Sequence, residues 1–115
     1  MAFSEFEQKR YEKIIGTYIE SRRPKPSLRK KLDISYRISG QSIEIFEIRP
    51  DWKDPSIVNE HPIAKSTYIK TSQCWKIYWM RADLKWYSYE PNTHVKTLDE
   101  FIHILDSDEY GCFWG

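Results

Sequence analysis

The side chains best suited to recognition lie in the run CWKIYWMRADLKWYSYE, where lysines alternate with aromatic rings. With Ala82-Asp83 as the turn of a hairpin, Trp79 stands opposite Trp86, Tyr78 opposite Tyr87 and Lys76 opposite Tyr89. Lys76, Tyr78, Met80, Lys85, Tyr87 and Tyr89 then share one face, and Trp75, Ile77, Trp79 and Trp86 the other. Rings beside cations can stack bases and neutralise phosphates. The same tyrosines can also simply stabilise an exposed sheet face, with lysine stems lying over the rings. A second basic feature is the linker containing Arg22, Arg23, Lys25, Arg29, Lys30 and Lys31, able to grip a phosphate backbone or an acidic partner. Trp52, between Asp51 and Asp54, is either a lid over the core or an anchor for a protein contact, and the lid is the commoner use.

Signals for catalysis are thinner. Asp33, Glu44, Glu47 and Arg49 could in principle hold Mg²⁺ and steady a phosphate, as a metal-dependent nuclease requires, but Glu44 is equally placed to pair with Arg37 across a strand. His61, His94, His103, Cys74 and Cys112 show none of the short spacings of zinc ligands, and no P-loop, G-x-G-x-x-G or G-x-S-x-G is present. No metal and no cofactor is therefore expected. The closing Gly111-Cys112-Phe113-Trp114-Gly115 resembles the nucleophile motif of A-class peptide methionine sulfoxide reductases over those five residues. In that family the cysteine opens a helix whose N-terminus favours the thiolate, which is not expected with three residues remaining after Cys112. Phe113 and Trp114 are expected to plug the core instead.

The elements that must position these residues follow from periodicity. Ser4 and Glu7 form a capping box ahead of Tyr11, Ile14, Ile15, Tyr18 and Ile19, which predicts an amphipathic helix ending near Arg22, before Pro24 and Pro26. The period then drops to two: Leu32, Ile34, Tyr36 and Ile38 alternate with polar residues, and Gly40-Gln41 as a turn pairs Ile38 with Ile43, Arg37 with Glu44 and Tyr36 with Ile45. Phe46 and Ile48 fall out of phase with Ile43 and Ile45, which predicts a bulge near Ile45 or a second covering layer. Residues 50–62, with three prolines and three acids, read as a long acidic loop. AKSTYIK, CWKIYWMR and KWYSYE read as three more strands, and Thr97 with Glu100 caps a short helix that Gly111 is placed to stop. The expected architecture is a single α+β domain over 1–115, with an N-terminal helix, an antiparallel meander of about five strands and a short C-terminal helix, both helices on one face.

Composition agrees with a sheet: 14 Ile and 16% aromatic residues against 3 Ala. The net charge of +1 excludes bulk nucleic-acid coating, although residues 1–31 are basic and 91–115 acidic. No apolar run suits a membrane helix or signal peptide, and two cysteines suit a reducing compartment, so a cytoplasmic setting without membrane contact is expected. Across nearly its full length, through SEFEQKRYEKIIG, YRISGQSIEIFEIRPDW, CWKIYWMRADLKWYSYEP and GCFWG, the chain resembles a bacterial family catalogued as a domain of unknown function. That resemblance implies a bacterial, cytoplasmic protein and supplies no catalytic residue. The residues themselves favour a binding module over an enzyme, its ligand single-stranded nucleic acid or, alternatively, a protein partner or second copy of the chain.

Overall fold

The computed structural model describes residues 2–115. Ser4 opens helix α1 (Glu5–Arg22) by the capping box: its hydroxyl accepts the Glu7 amide at 3.2 Å, and the Glu7 carboxylate accepts the Ser4 amide at 3.0 Å. Tyr11, Ile15 and Ile19 form its buried stripe, and after Pro24 the chain takes one 3-10 turn, Pro26–Leu28. Strands β1 (Asp33–Ser39), β2 (Ser42–Pro50), β3 (Val58–Ile69), β4 (Cys74–Met80) and β5 (Trp86–Ser88) then lie in sequence order in one antiparallel sheet. A two-residue strand, β6 (His94–Val95), also pairs with β4, and helix α2 (Leu98–Ser107) follows. This is an α+β fold.

The first hairpin has the anticipated register. Gly40 takes φ +59°, as a glycine-first two-residue turn requires, and Ile38, Arg37 and Tyr36 face Ile43, Glu44 and Ile45. β2 stays regular against β1, so Phe46 and Ile48 turn to the face opposite Ile43 and Ile45. The expected irregularity lies between Ile45 and Phe46 in the β2–β3 pairing, but its extra residue is Ile63 on β3, between Ala64 and Pro62. A bulge also explains how a proline is tolerated inside a strand.

Two expectations are corrected. The acidic loop is only residues 51–57, because β3 starts at Val58 and pairs with β2 from Pro50 onward. The Asp51 carboxylate tightens this turn by accepting the amides of Lys53 and Asp54 and the side-chain amide of Asn59. In the β4–β5 hairpin the connection is one residue longer than Ala82-Asp83, closing with Leu84 at φ +63° and Arg81 N–H bonded to the Lys85 carbonyl at 3.2 Å. Trp79 therefore faces Tyr87, Tyr78 faces Ser88 and Met80 faces Trp86. A slip of one residue turns every side chain on β5 to the other side.

Both helices cover the face bearing Ile34, Ile43, Ile45, Ala64, Trp75 and Ile77, where Tyr11, Ile15, Ile19, Leu98, Phe101 and Leu105 complete one buried cluster. Among the described residues, no helix is long and apolar enough to cross a membrane.

Candidate binding face

Among the described residues, no helix lies on the opposite face of the sheet. Strand alternation places Lys76, Tyr78 and Met80 of β4 on it, together with Lys65 of β3, Trp86 of β5 and, toward β1, Phe46 and Arg37. Cations and rings interleave there. The Lys65 ammonium stands 4.8 Å from the Tyr78 ring centre and 5.0 Å from that of Trp86, and Lys76 stands 5.1 Å from Tyr78. The Arg37 guanidinium crosses Phe46 at 4.3 Å and ends in an ion pair with Glu60, which buries Phe46 without a second layer. Burial against these rings lowers the Lys65 pKa, and the charge of Glu44 opposes the shift. Tyr78 and Trp86 remain partly exposed.

The structure sorts the residues anticipated for recognition. Lys76 and Tyr78 lie on the open face. Tyr87 is exposed, but it faces Trp79 on the helix side and hydrogen-bonds Asp83, while Lys85 sits in the turn. Tyr89 is 2% exposed and packs on Phe113 at 4.9 Å between ring centres, so it takes no part in an open surface. Lys65, Trp86, Phe46 and Arg37 were not singled out for this face by the sequence. Trp86 was hidden by the turn length, whereas Lys65 was legible from the alternation of AKSTYIK.

In the basic linker, Arg23 makes a bidentate pair with Asp33, at 2.9 and 2.8 Å, and a third contact with Glu20 at 2.8 Å. Arg22 stacks 4.2 Å over Trp114 and bonds Asp106 at 3.3 Å. These two arginines tie α1 to β1, to α2 and to the C-terminal segment. Lys30 and Lys31 are exposed, but they lead into β1, at the far edge of the sheet from β5.

Trp52 is 84% exposed, so it is not a lid. Glu44 and Glu47 lie on opposite faces of β2, Glu47 bonds Arg49 at 3.1 Å, and Asp33 is held by Arg23, so the acids weighed for a nuclease do not converge. Among the described residues, no group of three or more His, Cys, Asp or Glu side chains is placed to hold a metal ion. Burial and the nearby Asp108 carboxylate push the Cys112 thiol pKa up, the reverse of what attack on a sulfoxide needs.

The fold and this surface define a small α+β protein whose antiparallel sheet is covered on one side and open, aromatic and basic on the other. The chain belongs to the family described as Domain of unknown function (DUF3024), whose family model matches residues 3–115. No curated protein and no solved structure matches it.

Proposed function

We propose that this protein is a binding module that takes single-stranded nucleic acid on its open sheet face. The observation that carries this reading is the Lys65 ammonium between the Tyr78 and Trp86 rings on a face no helix covers. In the free protein the cations rest over the rings. A base that stacks on a ring displaces the ammonium toward the adjoining phosphate, exchanging a cation–π contact for a base stack and an ion pair. Stacking of this kind is worth about 1–3 kcal/mol per base.

Fluorescence anisotropy with labelled octanucleotides tests it. Affinity should fall as salt rises, with a log–log slope near −1.4 if two lysines meet phosphates. Tyr78→Ala and Trp86→Ala should each weaken binding by roughly 5- to 100-fold. Absence of binding at low salt, or binding indifferent to both substitutions, refutes the proposal.

A second reading rests on the β2–β3 hairpin tip, where Trp52, Ile57 and Val58 are 84%, 51% and 61% exposed. Apolar exposure at a loop tip fits a protein contact, with a second copy of the chain as partner. Sedimentation should then show a concentration-dependent dimer that Trp52→Ser abolishes; a monomer at every concentration rejects that pairing.

A further inference from the structure

The open face runs into a notch in the sheet. Pairing of β3 with β4 ends where Ala64 meets Trp79, but β3 continues to Val58 against β2 alone. Among the described residues, no strand therefore neighbours the outer edge of residues 58–63, and the β4–β5 turn forms the facing wall. The space between them is about 670 Å³ and is lined by Asn59, His61, Pro62, Met80, Arg81 and Leu84, among others. Two of its apolar contributors belong to the same row as the rings: Met80 faces Trp86, and Pro62 faces Phe46.

Polar groups in the notch are of the kind that reads a base edge. His61 is exposed, the Asn59 side-chain amide donates to Asp51 and leaves its carbonyl oxygen to accept, and a strand edge offers main-chain donors and acceptors. The charges at the mouth suit an anion. The Glu60 carboxylate is already met by Arg37, whereas the Arg81 guanidinium lies over Trp79 and Tyr87 and feels the Asp83 carboxylate from beyond ion-pair distance.

We propose that this notch receives one base of the bound strand, its ring against Pro62, Met80 and Leu84 and its edge on His61, Asn59 and the free β3 main chain, and so gives the protein a base preference. The proposal rests on the nucleic-acid reading above. It assigns the rings of the open face to affinity and the notch to selectivity, since stacking tolerates any base while hydrogen bonds to a base edge do not.

The experiment compares octamers of dA, dC, dG and dT at one salt concentration. The unaltered protein should prefer one base by roughly tenfold, the scale of a good hydrogen-bonded base contact. Ala82→Trp, an exposed turn substitution that fills the notch, and His61→Ala should both level the four affinities to within about twofold. The salt slope and the affinity for the weakest octamer should stay unchanged. Equal binding of all four octamers by the unaltered protein, or a preference that survives both substitutions, overturns the notch assignment and leaves the open-face reading standing. No binding of any octamer overturns that reading first. Hydrogen-exchange protection of residues 58–63 by an added extended peptide, and not by any octamer, assigns the notch to a peptide strand and overturns the proposal.

Discussion

Trp75→Ala is expected to remove about 3–5 kcal/mol of stability, the range for truncating a buried large aromatic residue, and so most of the margin of a small domain. Trp75 is 2% exposed and lies at the centre of an aromatic cluster that joins the first helix to the sheet. Its ring is 5.1 Å from Tyr11 in an edge-on arrangement, 5.2 Å from Tyr68 and 5.7 Å from Phe3. On β4 it pairs with Val95 on one side and Tyr68 on the other, so one side chain is packed by α1, β3 and β6. Alanine leaves a cavity that a helix and two strands would have to close together, which a close-packed interior does poorly. Urea denaturation followed by far-UV circular dichroism measures the loss. A change below about 1 kcal/mol would mean the cluster is not the join between the layers, since that value belongs to surface substitutions. Trp75→Phe keeps an edge-on partner for Tyr11 and should lose markedly less.

Where local chemistry alone sets geometry, the sequence was readable. Ser4 with Glu7, and the proline pair after Arg22, bound the first helix with no help from the rest of the chain. Gly40 fixed the first hairpin, because a two-residue turn leaves one register and its positive φ has an obvious residue. The second hairpin was not readable for the same reason in reverse. Its left-handed position is occupied by Leu84, a residue that advertises no such conformation, so nothing local distinguishes a two-residue turn at 82–83 from the longer one. That single residue decides whether Trp86 or Tyr87 reaches the open face. The start of β3 was obscured by Pro62, which argues against a strand unless the bulge and the missing neighbour on its outer side are known. The open face is thus a tertiary product: Lys65, Tyr78 and Trp86 come from three strands, and no spacing within one segment reports their contact.

The C-terminal segment shows what the tempting pentapeptide does in this fold. Asp108 ends α2 in the left-handed conformation, with φ 41° and ψ 50°, in place of Gly111, the stop the sequence suggested. Its carboxylate then accepts three main-chain amides, those of Phe113 at 3.0 Å, Trp114 at 2.8 Å and Gly115 at 3.1 Å. Gly111, at φ +66°, lets the chain fold back around that carboxylate, so Phe113 enters the core beside Tyr89 and the Trp114 indole donates to the Leu105 carbonyl at 3.2 Å.

Removing the carboxylate should therefore release the segment. Asp108→Gly suits the left-handed backbone, so its cost reports the lost hydrogen bonds, and we expect about 2–4 kcal/mol, given 1.5–3 for a bond to a charged group and partial replacement by water. Asp108→Asn also tolerates that backbone and keeps one carbonyl acceptor, and should lose about half as much. The indole of Trp114, now free of Arg22 and Leu105, should become more accessible to a fluorescence quencher in the glycine variant before global unfolding begins. If glycine and asparagine cost the same, or if the glycine variant loses under 0.5 kcal/mol, the carboxylate is not what holds the tail, since losses that small are ordinary for surface positions. The docking of Phe113 against Tyr89 and the contacts of Trp114 with Arg22 and Leu105 would then have to hold it.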